Sequence, residues 1–185
     1  IMKSRSLSGS AYIDFPVDQT AIYPDYRRNT VELGKIQATI DSVRNDKDVS
    51  ITSVWLKGFA SPESPYKHNT ELAIGRTAAL KKHIGQLYHF ADSIIRTDYE
   101  PEDWAGLRRQ VEQSNINHRG EILALIDSDM EPDAKEAKIK RTYPEEYRFM
   151  LQHFYPALRH TDYRIDYAIR TFSEVEEIKR IMAEQ

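Results

Sequence analysis

The sequence has no cysteine and no long apolar run, and each absence excludes a class of protein. Because none of its 185 residues is cysteine, a disulfide framework, a thiolate metal site and a cysteine nucleophile are excluded. No segment approaches the roughly 20 apolar residues that a membrane-spanning helix requires. The formal net charge is only −3, so no overall positive field favours nucleic acid or an anionic membrane. We therefore expect no nucleic-acid partner and no membrane span.

Motifs of catalysis and of metal binding are also absent. The sequence has no Gly-rich phosphate loop, no G-x-S-x-G elbow and no H-E-x-x-H pair. The acidic segment 127–138 has Pro132 where a calcium loop requires glycine, and Lys138 where it requires glutamate. No nucleophile or general base has an evident orienting partner. We predict a non-enzymatic protein with no cofactor and no metal.

The hydrophobic pattern from residue 10 to residue 99 predicts strands that alternate with helices. The first residues, IMKSRSLSGS, lack an apolar leader, and we expect residues 1–9 to be an upstream tail within a longer protein. Leu33, Ile36, Ile40 and Val43 recur at the spacing of one helical face. The predicted strands are residues 10–17, 48–58 and 92–99, and the predicted helices are residues 23–46 and 68–90.

The second part of the sequence departs from this alternation. Residues 100–160 predict a mostly helical insertion, with prolines at helix starts. Residues 161–172 alternate apolar and polar side chains, which indicates an antiparallel strand with one buried face. Ser173 is the predicted N-cap of a C-terminal helix over residues 174–185. The fold class we predict is α/β (α+β), a two-layer sandwich. The predicted domain occupies residues 10–173 and has a β-α-β-α-β core, with a helical insertion at about residues 100–160 before the last antiparallel strand.

One stretch, GFASPESPYKHNTELAIGR, carries a recognisable motif. It resembles the signature of the OmpA-like C-terminal domain, the peptidoglycan-associated module of Gram-negative outer membranes. That signature is roughly G-[YF]-[TA]-D, a short loop, and then N-x-x-L-S-x-x-R-A. The loop SPE, which has no Asp, resembles a variant of Bacteroides-type envelope proteins. The matching positions in the stretch are Gly58, Phe59, Ala60, Asn69, Leu72 and Arg76. Those in the flanking strands are Phe15, Asp18, Ile22, Pro24, Asp162, Arg164 and Ile165.

The resemblance implies a binding module on the periplasmic face of the outer membrane. Its ligand would be the diaminopimelate of the peptidoglycan stem peptide, which presents an ammonium beside a carboxylate. In such domains an arginine at the position of Arg76 binds the carboxylate, and a loop Asp meets the ammonium. Here Ser61 stands at the Asp position, so Glu63 or Asp18 would supply the missing carboxylate. The implied ligand-binding residues are Asp18, Ala60, Ser61, Glu63, Asn69, Arg76 and Arg164.

Simpler roles are open for several of these residues. Asn69 is suited to cap a helix, and Ser61 before Pro62 is suited to a turn. Arg164 on the polar face of the last strand would form a surface ion pair with Asp162 or Asp166. An alternative function is also open, in which the domain has lost peptidoglycan binding. It would then contact another envelope or fimbrial protein through the insertion at residues 100–160.

Overall fold

The computed structural model describes residues 2–171 and 174–184, with the side chains of residues 174–177 left out. The protein is an α+β sandwich in which helices pack against a mixed four-stranded sheet, as the sequence predicts. None of the described helices is long and apolar enough to cross a membrane. The elements in chain order are β1 Met2–Ala11, α1 Asn29–Arg44, β2 Val49–Phe59, α2 Tyr66–Tyr88, β3 Ile95–Glu100, α3 Trp104–Glu112, α4 Arg119–Ile126, α5 Pro132–Thr142, α6 Pro144–His153, β4 Thr161–Arg170 and α7 Glu174–Glu184.

The sheet order is β1-β4-β2-β3, so the last described strand lies inside the sheet. Strand β4 pairs antiparallel with both β1 and β2, whereas β2 and β3 are parallel. The predicted antiparallel last strand is therefore confirmed. This pairing sets Thr161, the first residue of β4, opposite Gly58 near the end of β2. The segment that precedes β4 is thereby brought beside the loop that follows β2.

Helices α1 and α2 cover one face of the sheet and share a single hydrophobic core with it. Leu33, Ile36, Ile40 and Val43 are all buried there, which confirms the predicted helical stripe. In α2, Leu80 and Ile84 are buried, but Leu87 is exposed near the end of the helix. The last turn of α2 instead buries Tyr88, which continues the stripe of Leu80 and Ile84.

The first strand lies at Met2–Ala11, and the prediction of a strand at residues 10–17 after a tail is wrong. The sequence around residues 12–14 favours a strand, but here side chains of α1, and not a neighbouring strand, bind the backbone. The N–H of Tyr12 donates to Glu32 Oε1 at 2.9 Å, and the N–H of Asp14 donates to Asn29 Oδ1 at 2.7 Å. The polar segment 2–11 forms a strand because β4 pairs with it along its whole length.

The insertion between β3 and β4 contains helices α3 to α6, as its sequence predicts, and has a hydrophobic core of its own. At its start, Asp103 caps α3 by accepting from the N–H of Gly106 at 3.0 Å. The C-terminal helix α7 follows β4, and Ser173, its predicted cap, lies outside the described residues. Buried residues of the insertion core are Leu107, Val111, Ile122, Ile126, Ile139, Tyr147, Met150, Tyr155 and Leu158.

Candidate functional site

A cleft of about 310 Å³ lies where the loop after β2 meets the loop between β1 and α1. We call it the Arg76 cleft. It brings together six of the seven residues that the sequence proposes for ligand binding. They are Asp18, Ala60, Ser61, Glu63, Asn69 and Arg76. The cleft also includes Arg159, which the sequence did not suggest.

Two glycines allow the close packing that positions the cleft. A Cβ atom at Gly58 would overlap Oγ1 of Thr77, so only glycine lets α2 approach β2 this closely. A Cβ atom at Gly75 would lie 2.7 Å from Cγ2 of Thr20 in the loop between β1 and α1. Arg76 follows Gly75 directly and is therefore held between the sheet and that loop.

The guanidinium of Arg76 is a partly buried hydrogen-bond donor in the cleft. Its Nε donates to the carbonyl of Gln19 at 3.0 Å, and its Cζ lies 4.8 Å from the ring centre of Phe15. Within residues 2–171 and 174–184, no acidic side chain forms an ion pair with it. Burial lowers the pKa of Arg76, nearby Arg159 lowers it further, and Asp18 opposes both. Four of its five N–H groups therefore have no partner among the described residues and are suited to an anion.

Ser61 and Glu63 are both engaged by Arg159. The hydroxyl of Ser61 accepts from Arg159 Nε at 3.1 Å, and only 4% of Ser61 is exposed. Glu63 Oε2 accepts from Arg159 Nη2 at 2.7 Å. Glu63 is therefore not the unpaired substitute carboxylate that the sequence suggested. The same ion pair joins the loop after β2 to the residues that precede β4.

Asp18 is the remaining acidic candidate at the predicted site. Its side chain is 68% exposed, and its Oδ1 lies 2.8 Å from Nε2 of His68 on α2. Asp18 has a φ of 58°, a left-handed conformation in which Asp is among the few residues tolerated. Asp18 lies close enough to Arg76 to oppose the lowering of its pKa. The cleft therefore presents a carboxylate and a guanidinium near each other.

Asn69 and Ala60 hold the loop against the insertion. The prediction that Asn69 caps α2 is wrong, because α2 begins at Tyr66 and no side chain caps it. Asn69 is buried instead, and its Nδ2 donates to the carbonyl of Ser64 and to Glu102 Oε2, each at 2.7 Å. The carbonyl of Ala60 accepts from the N–H of Asp103 at 3.0 Å.

Arg164 does not line the cleft, so the prediction that placed it in the ligand site is wrong. Its Nε donates to Asp166 Oδ1 at 2.9 Å, and its Cζ lies 4.9 Å from the ring of Trp55. This is the surface ion pair that the sequence left open as the simpler role. The pKa of Asp166 falls to about 2: burial opposes this, but hydrogen bonds from Ser6, Ser53 and Arg164 outweigh it.

His160 is a second residue near the cleft that sequence reasoning missed. Its Nε2 lies 2.8 Å from Asp103 Oδ2, its Nδ1 lies 2.8 Å from Asp162 Oδ1, and its ring stacks on Phe59. Burial lowers its pKa, but the two carboxylates outweigh burial and raise it. The positions of Arg159 and His160 follow from the pairing of β4 with β2. That pairing puts the residues before Thr161 beside the loop after Gly58.

We compared the sequence with protein-family models and with curated proteins, and neither comparison gives a match. We therefore infer the chemistry of the ligand from the geometry of the cleft. Among the described residues, no group of three or more His, Asp or Glu side chains could hold a metal ion. What the cleft offers is a partly buried guanidinium with unused donors, and an exposed carboxylate beside it. Such an arrangement can bind an anion or a zwitterion.

Proposed function

We propose that this chain is a non-catalytic cell-envelope module that binds the diaminopimelate of the peptidoglycan stem peptide. One observation carries the proposal: Arg76 has no acidic partner among the described residues, although it lies partly buried in a cleft that also contains Asp18. A zwitterion supplies an anion for the guanidinium of Arg76, which has none, and an ammonium for the carboxylate of Asp18, whose partner is His68. The motif around Gly58 and Arg76, which resembles the OmpA-like signature, supports the same ligand.

The location and role proposed here follow from that resemblance. A module of this kind would act on the periplasmic face of the outer membrane and tether an outer-membrane protein to the cell wall. In this chain Asp18 would meet the ligand ammonium, since Ser61 and Glu63 are both bound to Arg159. Because Asp18 also lies against His68, the ligand ammonium would compete with that histidine for the carboxylate.

Calorimetric titration with meso-diaminopimelate tests the proposal. Arg76→Ala removes the anion donor and should weaken binding about tenfold or more, because a charge-assisted hydrogen bond is worth roughly 1.5–3 kcal/mol. Arg164→Ala is the matched control, since it also removes an arginine but one outside the cleft. It should leave the affinity unchanged. Wild-type binding no stronger than that of Arg76→Ala would contradict the proposal.

A second function is favoured by the contacts of Ser61 and Glu63. Both side chains are bound to Arg159, so neither the serine at the family's Asp position nor the nearby glutamate is free to meet a ligand ammonium. We propose as the alternative an OmpA-like interaction domain that has lost the wall ligand and contacts an envelope or fimbrial protein through its insertion. The same titration separates the two functions, because this domain would show no heat with diaminopimelate.

A further inference from the structure

We infer that Arg159 makes the Arg76 cleft selective for a ligand with two free carboxylates. This inference rests on the proposed function and deepens it by assigning the second acidic group of the ligand. The residue does not belong to the motif around Arg76. It lies at the end of the insertion, and the pairing of β4 with β2 brings it into the cleft.

Arg159 retains unused donors that face the same space as Arg76. Its Nε donates to Ser61 and its Nη2 donates to Glu63, which uses two of its five N–H groups. These two bonds fix the plane of the guanidinium and leave Nη1 without a partner in the described part of the chain. Both arginines also line a second, narrower depression beside Gly58 and Thr161. Two oriented guanidinium groups are thus available to one ligand.

The charges of the cleft favour a ligand that is balanced in the same way. Three basic and three acidic side chains line it, so the lining has no net formal charge. Diaminopimelate carries two carboxylates and two ammonium groups and is also neutral. Lysine differs from it only by lacking one carboxylate, and it carries a net positive charge. The charged lining residues are Asp14, Asp18, Arg27, Glu63, Arg76 and Arg159.

The two arginines would then have different tasks. Arg76 and Asp18 bind one amino-acid end of the ligand, a group that diaminopimelate and lysine share. Arg159 binds the carboxylate at the other end, which lysine lacks. The chemical class assigned to the site is therefore a diamino diacid with both carboxylates free. In a stem peptide this condition is met when the chain ends at diaminopimelate.

A double variant tests the role of Arg159 without leaving a charge unpaired. Because Arg159→Gln alone would leave Glu63 without its partner, Glu63→Gln is introduced with it. Calorimetric titrations use meso-diaminopimelate, D-lysine, L-lysine and inorganic phosphate against the wild-type chain, Glu63→Gln/Arg159→Gln and Arg76→Ala. Thermal unfolding of each variant first establishes that it is folded.

The wild-type chain should bind diaminopimelate about tenfold more tightly than either lysine, as expected for one charge-assisted contact. In the double variant that ratio should fall to near one, with lysine binding retained, whereas Arg76→Ala should lose affinity for both. A ratio that persists in the double variant overturns the inference while the proposed function stands. Phosphate binding as tight as that of diaminopimelate overturns it too, since the cleft would then be a general anion site. Binding of none of the ligands overturns both proposals.

Discussion

At the scale of single residues, the sequence identified the basic half of the cleft, at Arg76, better than the loop with Ser61 and Glu63. The motif around Gly58 predicted that Asp18, Ser61 and Arg76 lie together, and the structure brings these three residues into one cleft. What the sequence did not show is that Arg159 occupies Ser61 and Glu63. That contact joins residues 98 positions apart in the chain, so no local pattern encodes it.

Substitution of Gly58 tests the packing that positions Arg76. Gly58→Ala should destabilise the fold by about 1–3 kcal/mol, because the new methyl group overlaps the side chain of Thr77 on α2 and displaces it or the helix. Chemical denaturation measures the change. Gly34→Ala in α1 is the matched control, since a Cβ atom there meets nothing within 4 Å.

The control should be neutral or stabilise the protein by up to about 1 kcal/mol, because alanine favours helix over glycine. Adding Thr77→Ala to Gly58→Ala removes the side-chain oxygen and should recover part of the lost stability. Equal stabilities for Gly58→Ala and the wild-type chain would show that α2 does not need the close approach.

At the scale of elements, α1, β2, α2, β3 and β4 follow from hydrophobic periodicity. The structure has the last four close to their predicted bounds, but α1 begins at Asn29 rather than at the predicted residue 23. Strand β1 does not follow, because its residues are polar and largely exposed at the edge of the sheet. Its conformation depends on pairing with β4, which is about 150 residues away in the sequence. Hydrophobic periodicity detects elements that have a buried face, and β1 has little buried surface.

Within the insertion, Glu136 on α5 joins α6 and the turn before β4. Its carboxylate accepts from the hydroxyls of Tyr147 and Tyr155. Burial, together with the nearby charges of Glu102 and Glu63, raises its pKa to about 7, against the hydrogen bonds from the two tyrosines. This part of the insertion core therefore holds a carboxyl group that ionises near neutral pH.

Glu136→Gln should stabilise the protein by about 1–3 kcal/mol above pH 7 and change its stability little near pH 4. Between the ordinary pKa of 4.5 and about 7, the unfolded chain releases this proton while the folded chain keeps it. Rising pH therefore destabilises the wild-type fold through this group, and the penalty is complete above pH 7. Thermal unfolding from pH 4 to pH 8 measures it.

Glu71→Gln serves as the comparison, because Glu71 is an exposed glutamate of α2. Its stability should follow that of the wild-type chain at every pH. If the stability of Glu136→Gln also matches that of the wild-type chain at every pH, the folded chain does not keep Glu136 protonated up to about pH 7.

At the scale of the whole molecule, the cleft lies where the sheet sandwich meets the insertion. Arg159 and His160, at the end of the insertion, bind the loop after β2 and the start of α3. Asn69 on α2 bonds Glu102 just before α3. The insertion has its own core, but these contacts tie it to the residues around Arg76. The sequence predicted the insertion as helical; its role in shaping the cleft required the strand order.

The central claim is that Arg76 and Asp18 bind the two charges of one zwitterion. A crystal structure of the protein with meso-diaminopimelate tests this directly. We expect the ligand in the Arg76 cleft, with one carboxylate accepting from the guanidinium of Arg76 and the neighbouring ammonium against Asp18. Ligand bound elsewhere while the cleft stays without it, or bound with its ammonium toward Arg76, would contradict the account.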